Sequence, residues 1–466
     1  QFSKNIWRPD MQLPIEPWVQ PLWEKGLYPF APPFVYKNEG KYFIQYPLFF
    51  SAISAPFYRW FGFRGLTILP LISTWGLWGF FVAGCRRRGI ALSGTALGLT
   101  GLIFASTLTL YSAMFSEHTL AVAMSFGGLV LAMPSIRKPQ SERMLIISGL
   151  LMGCACWLRP ESFIFTLGAI ISLGRMHIGL SKLVKLGLLF LVPVSGYLFF
   201  NLYVYGIPLG LHGVQHVETH QLHYPGMSPI KIFLNLGDSL VYFHPILLLI
   251  AGMAATGLLA KGIGQHLGGA PDRNEMMAWI ILTIMMVVSV FILPNDGGKQ
   301  LGPRYWFHLL PLLWFIAAIR FNALLAAKGI TARLMAVMCV GFLLIGIWLN
   351  TFQRAKTLYA DYQTRTLPAL QLVSHVNSDV IVVTHQWIAQ ELQAEMQRTS
   401  FVRVTSENEL ELLVRAMADM DRTRLLWFDY TNKKMEDREY PSAELRFGRP
   451  HPIGQYFVSY GLISKY

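Results

Sequence analysis

Trp157-Leu158-Arg159-Pro160-Glu161-Ser162 interrupts an otherwise apolar region that runs from Met144 to Leu173. An arginine or glutamate at bilayer depth costs roughly 2.5–3.5 kcal/mol on insertion scales, so a chain that carries one keeps it in a cavity or at a helix break. Pro160 supplies the break, because it has no N–H and disfavours helix at the residue before it. The apolar region is about thirty residues long, too long for one ordinary span of about twenty. Basic residues flank both ends: Arg137, Lys138 and Arg143 before it, Arg175, Lys182 and Lys185 after it. Both ends are therefore expected on the cytoplasmic side. The expected structure is a hairpin of two short helices with Arg159 and Glu161 at its outer tip. Two readings of that tip stand side by side. One is an Arg–Glu pair that stabilises a helix corner. The other is a guanidinium set to receive an anionic head group.

Working outward, the composition agrees with a membrane protein: 53% of the 466 residues are hydrophobic and only 14% are charged. The net charge of +13 is spread between apolar runs, which suits cytoplasmic loops that fix orientation and excludes a nucleic-acid-binding surface. Cys85, Cys154, Cys156 and Cys339 all lie in or beside apolar runs, so neither a disulfide framework nor a zinc site is indicated. Residues Gln1–Tyr46 are polar and rich in tryptophan, tyrosine and proline. They read as an outer loop with short helices, with no signal peptide and with room for a span ahead of Gln1.

Membrane segments are expected at Pro47–Phe61 (interfacial or partly inserted), Leu66–Gly84, Leu92–Ser112, Thr119–Met133, the hairpin, Leu183–Tyr205, Ile232–Ala260, Met276–Pro294, Tyr305–Ile319 and Leu334–Thr351. This makes about eleven membrane segments within 47–352. Arg86-Arg87-Arg88 and Lys261–Glu275 should be cytoplasmic, and Gly206–Lys231 outside. From 353 to 466 apolar runs shrink to strand length. Asp379–Thr384, Phe401–Thr405 and Arg424–Phe428 read as strands, and Ser406 with Glu409 has capping-box spacing. The alternation predicts a small extracytoplasmic α/β domain on a parallel sheet, one that covers the outer face or holds a partner in a membrane complex.

Charged residues gather on one side of the expected membrane: Asp10, Glu117-His118, Arg159, Glu161 and the loop Asp296–Tyr305 with Lys299, Arg304 and Tyr305. Lys299 and Arg304 at the mouth of two spans suit a lipid-borne phosphate. His212, His216, His220 and His223 would line one face of a helix, a spacing that can supply metal ligands. An amphipathic outer helix whose histidines face water has the same spacing. No metal or other cofactor is required by the chemistry, and a divalent ion is left open at His212, His216 and His220.

Several stretches resemble one family. Glu24-Lys25-Gly26-Leu27-Tyr28, Asn38-Glu39-Gly40-Lys41-Tyr42 and Tyr46-Pro47-Leu48 look like its first outer loop, and Tyr111 through Glu117 like its second outer turn. Leu158-Arg159-Pro160-Glu161 resembles its arginine hairpin, and Gly302-Pro303-Arg304-Tyr305 with Pro311 a late outer loop. The family is the polytopic, lipid-linked glycosyltransferases of the C-type fold, which includes the protein O-mannosyltransferases and the aminoarabinose transferases of lipid A. The similarity covers most of the chain, and each motif is short.

The resemblance implies a transmembrane glycosyltransferase with a small outer α/β domain. It implies inverting transfer of a sugar from a polyprenyl-phosphate carrier to a glycan, lipid or protein acceptor, outside the bacterial inner membrane. The charges themselves assign Arg159, Lys299, Arg304 and the neighbouring Tyr305 to the donor phosphate, with His118 and Glu161 in support, and the resemblance implies an aspartate of the first outer loop as base. Asp10 is the only aspartate in Gln1–Tyr46; Glu16, Glu24 and Glu117 compete with it, and Glu117 is assigned as helper. The other readings are a non-catalytic structural subunit of a membrane complex and a secondary transporter.

Overall fold

The computed structural model describes residues 16–32, 34–38, 41–44, 48–135, 141–211, 213–214, 228–246, 273–289, 302–327, 329–432 and 435–466. The chain divides into two compact units. One is Pro47–Ala355, and the other joins the described part of Gln1–Tyr46 to Lys356–Tyr466.

The larger unit is helical. Its principal helices are α1 (Leu48–Phe61), α2 (Ile68–Arg87), α3 (Leu92–Phe104), α4 (His118–Ala132), α5 (Glu142–Cys156), α6 (Glu161–Arg175), α7 (Leu180–Tyr205), α8 (Pro229–Phe243), α9 (Arg273–Val288), α10 (Leu309–Ala326) and α11 (Ile330–Ile347). Among the described residues, four helical stretches are long and apolar enough to cross a membrane: Leu48–Arg87, Leu180–Tyr205, Leu309–Ala326 and Ile330–His375. Helix α7 shows what surrounds them. It exposes Leu188, Val192 and Phe199 at 61%, 64% and 72%, a surface stable against acyl chains and not against water. This is a polytopic integral membrane protein.

Phe81 of α2, Phe126 of α4, Trp279 of α9 and Phe315 of α10 form the buried centre, with ring centroids 5.6–6.4 Å apart. Helices α3 and α10 meet through small residues. A Cβ on Gly98 would fall 2.8 Å from the Cβ of Ala318, and one on Gly101 only 2.1 Å from the Trp314 ring. In lipid this close approach, more than apolar burial, drives helix association.

The expected hairpin is present as α5 and α6, joined at Trp157–Pro160. Pro160 sits in the N-cap position of α6, where a missing N–H removes no helical bond. The Trp157 indole anchors the corner by donating to the Pro193 carbonyl at 2.7 Å. Expected Leu92–Ser112 is not one span. Helix α3 stops at Phe104, and a separate turn covers Leu108–Tyr111. Polar side chains make that elbow: Ser106 Oγ accepts the Leu108 N–H at 3.2 Å, and Thr109 Oγ1 donates to the Ile103 carbonyl at 2.6 Å. Helix α10 begins at Leu309, later than the expected Tyr305, because Arg304–Trp306 forms a 3-10 turn. Helix α8 ends at Phe243, where His244 leaves helical geometry (φ −132°). The rest of expected Ile232–Ala260 beyond residue 246 lies outside the described residues.

The smaller unit is α/β, but its sheet is mixed and not purely parallel. The strand order is Ser400–Arg403, Val380–Val383, Arg424–Asp429, Tyr456–Lys465, Ala443–Phe447 and Arg438–Tyr440, with His451–Ile453 paired to Tyr456–Lys465. Its parallel part is β3 (Val380–Val383), β4 (Ser400–Arg403) and β5 (Arg424–Asp429). An antiparallel group, β6 (Arg438–Tyr440), β7 (Ala443–Phe447), β8 (His451–Ile453) and β9 (Tyr456–Lys465), extends it. Ser406 caps the helix Glu407–Asp419 through the expected capping box with Glu409. A hairpin of β1 (Val35–Asn38) and β2 (Lys41–Ile44) belongs to this unit. Sequence reading separates the N-terminal loop from the tail, whereas Trp18, Leu22 and Trp23 pack into one core with Val402, Leu413 and Trp427. The Trp23 indole donates to the Phe401 carbonyl at 2.9 Å.

Candidate active site

The corner at Trp157–Pro160 delivers Arg159 to the start of α6, and helix α4 delivers Glu117 from its N-cap position. Arg159 Nη2 donates to Glu161 Oε1 at 2.7 Å and Nε to Glu161 Oε2 at 3.1 Å, a two-pronged contact. Its Nη1 donates to Glu117 Oε1 at 3.1 Å. All three residues are buried. Removing one member of such a group leaves uncompensated charge away from water, which is strongly destabilising.

A second cation closes the cluster. The Arg159 and Arg304 guanidinium groups both lie over the Tyr305 ring, 5.6 and 5.1 Å from its centroid. The two arginines offset the charges of Glu117 and Glu161. Arg304 Nε is buried without a hydrogen-bond partner, so it holds unmet capacity for an acceptor oxygen. The loop ahead of it is tight. Gly302 adopts φ +79°, and a Cβ there would fall 2.9 Å from Thr107 Oγ1, itself buried without a partner.

His118 and Tyr111 back the cluster. With Phe307 they form a three-ring group at centroid distances of 4.6–5.5 Å. His308 Nε2 and Ser162 Oγ are 2.9 Å apart in a fully buried pair that ties the start of α6 to the segment leading into α10. Sequence reading passes over His308. Its signal was a lone titratable side chain four residues after Arg304 in an otherwise apolar stretch.

Of the residues singled out from sequence, Glu117, His118, Arg159, Glu161, Arg304 and Tyr305 meet in this region. Asp10, Lys299, His212, His216, His220 and His223 lie outside the described residues. Glu16 and Glu24 belong to the smaller unit, where Glu16 Oε2 accepts from Arg422 Nη2 at 2.6 Å. Among the described residues no group of three His, Cys, Asp or Glu side chains is placed to hold a metal.

The fold has solved counterparts. The chain is similar to the crystal structure of ArnT from Cupriavidus metallidurans in the apo state, with a TM-score of 0.52 and 10% identity over 98% of this chain and 95% of that one. It is similar also to the structure of the same protein bound to undecaprenyl phosphate, with a TM-score of 0.52 and 12% identity over 98% and 96%. No protein-family model and no curated protein matches the chain. At this identity the likeness is one of fold. The fold is that of the C-type glycosyltransferases, as the sequence motifs led us to expect.

Proposed function

We propose that this protein is a glycosyltransferase of the bacterial inner membrane. It moves a sugar from a polyprenyl-phosphate carrier to an acceptor on the extracytoplasmic side, where the C-terminal domain also lies. The observation that carries the reading is the buried cluster of Glu117, Arg159, Glu161, Arg304 and Tyr305 in a chain with the ArnT fold. The division 1–46, 47–352 and 353–466 is kept as a functional one: outer loop, transferase body and outer domain.

In this reading the acceptor hydroxyl oxygen attacks the anomeric carbon of the donor and inverts it. The bond from that carbon to the phosphate oxygen breaks, and the lipid phosphate leaves with the electron pair. The proton goes to a carboxylate, Asp10, with Glu117 orienting the acceptor. Arg304 meets the phosphate directly, helped by Lys299. Arg159, clamped by Glu161, fixes the position of Glu117 and adds positive potential. Negative charge grows on the leaving phosphate as the bond breaks, so fixed cations there favour the transition state over the ground state.

The occupied state of Arg159 favours one other reading, a non-catalytic subunit whose ion pair only braces a helix corner. Incubation with polyprenyl-phosphate sugars separates the two, because only the enzyme releases free lipid phosphate. Sidedness is tested by a cysteine introduced at Ser406. It should react with an impermeant maleimide added to intact cells. Labelling only after permeabilisation would reverse the orientation.

A further inference from the structure

The parallel part of the C-terminal sheet has a feature that sugar transfer leaves unexplained. From β3 the chain crosses to β4 on one side, then from β4 to β5 on the other side of β3. Connections that diverge in this way leave a crevice beyond the carboxyl ends of the two strands, the usual ligand position in open α/β sheets. Here β3 is followed by Thr384-His385-Gln386-Trp387 and β5 ends at Asp429 before Tyr430.

Rings line that edge. His385 and Trp387 lie parallel, with centroids 6.3 Å apart and an interplanar angle of 6°. His385 meets Tyr430 at 6.2 Å and 65°. Trp387 is 44% exposed and Tyr430 38% exposed, although each could bury its ring at a profit of apolar area. The Trp387 side of the edge is braced by its neighbours. Gln386 Oε1 accepts the Ala31 N–H at 2.9 Å, and Phe34 packs edge-on against Trp387 at 4.8 Å.

Hydrogen-bonding groups alternate with the rings. His385 Nδ1 accepts the Trp387 N–H at 3.3 Å, which assigns the proton to Nε2 and makes that atom a donor. Asp429 Oδ1 accepts the Thr431 N–H at 3.2 Å, and the carboxylate has a second oxygen. Register places Arg403, the last residue of β4, opposite Val383, the last residue of β3. Its Nε is buried without a hydrogen-bond partner.

A sugar presents a C–H face to an aromatic ring and a rim of hydroxyls to carboxylate, imidazole and guanidinium groups. We infer that the crevice beyond β3 and β5, walled by Trp387, His385 and Tyr430, is a carbohydrate-binding site, with Asp429 and Arg403 as partners for sugar hydroxyls. A lipid surface is a poorer match, because the rings are interleaved with an acid and are not joined into an apolar face. The inference does not rest on the transferase reading, and its test uses no donor lipid.

Full-length protein in lipid nanodiscs, fluorescently labelled, is applied to an array of oligosaccharides built from mannose, glucose, N-acetylglucosamine and glucuronate, with empty nanodiscs as control. At least one glycan class should be bound above the control. Trp387→Ala and Tyr430→Ala should each weaken that binding about tenfold or more, while Trp387→Phe should keep it within about threefold. Thermal unfolding identifies a variant that fails to fold, and Tyr430→Ala, at an exposed position, then decides. Absence of glycan binding above empty nanodiscs, or unchanged binding by Trp387→Ala and Tyr430→Ala, would overturn the inference. Because no donor is present, neither result alters the outcome of the lipid-phosphate release assay.

Discussion

Arg159 reaches back 42 residues to Glu117, Nη1 to Oε1 at 3.1 Å, while its other edge grips Glu161 two residues ahead. One guanidinium thus fixes the N-terminus of α4 to the corner between α5 and α6. Whatever binds at this cluster meets a preformed arrangement, because both carboxylates have their positions set before it arrives.

That relationship predicts a difference between two substitutions. Arg159→Ala strands Glu117 and Glu161 in a buried site and should destabilise the protein by about 3–5 kcal/mol. Arg159→Lys keeps one charge but cannot span both carboxylates, so it should fold with lower stability and transfer poorly. Thermal unfolding in detergent, followed by fluorescence-detected gel filtration, gives the order wild type, Lys, Ala. Equal stability of the Ala variant would remove the clamp from the account.

Base and helper are separated by a pair of conservative changes. Asp10→Asn should reduce transfer by several orders of magnitude while donor binding persists, and Glu117→Gln should reduce it less. Single-turnover rates with saturating donor make the comparison. A near-normal Asp10→Asn beside a dead Glu117→Gln would exchange the two roles.

Packing of α3 on α10 leaves no room at Gly101, whose Cβ position lies 2.1 Å from the Trp314 ring. Gly101→Val should therefore destabilise the membrane unit by about 1–3 kcal/mol through overpacking. Gly187, with no atom near its Cβ position, is the control. Gly187→Ala should be neutral or slightly stabilising, and a larger loss there than at Gly101 would contradict the packing described.

Acid should loosen the C-terminal domain at its capping box. Burial pushes the Glu409 carboxyl up, but hydrogen bonds from the Thr405 N–H and hydroxyl and the Ser406 N–H outweigh it, so the group is held below the usual glutamate range. A carboxyl depressed in the folded state adds stability above its unfolded pKa and loses it as pH falls through the folded one. Amide protection in Glu407–Asp419, corrected for the intrinsic slowing of exchange in acid, should thus fall below about pH 4.5 in the full-length protein. Glu409→Gln should flatten that dependence, and Ser406→Ala should raise exchange at neutral pH by the effect of one lost cap, about 1 kcal/mol. An unchanged pH profile in Glu409→Gln would assign the acid sensitivity elsewhere.

Much of this was legible because polar residues in apolar sequence are costly and therefore informative. Arg159, Pro160 and Glu161 announced both the hairpin and the centre of the cluster. Ser406 and Glu409 announced a helix start, and the β-branched run at Asp379–Thr384 a buried strand. The partnership of Arg159 with Glu117 was not legible, because the pairing depends on how α4 and α5 pack and on no local spacing. His308 was hidden by its apolar neighbours. The antiparallel strands were missed for a different reason. β6 and β8 are three residues long and largely solvated, and β9 puts apolar side chains on both faces, so neither period nor composition stands out.

The most direct test of the central claim is release of free polyprenyl phosphate. Purified protein is incubated with a panel of polyprenyl-phosphate sugars, and the lipid phosphate is quantified with and without Arg304→Ala. The account predicts release from at least one donor by the wild type and a loss of about 10²-fold or more in the variant, with thermal unfolding and gel filtration checking that the variant is folded. No release from any donor, or equal release by Arg304→Ala, would contradict it.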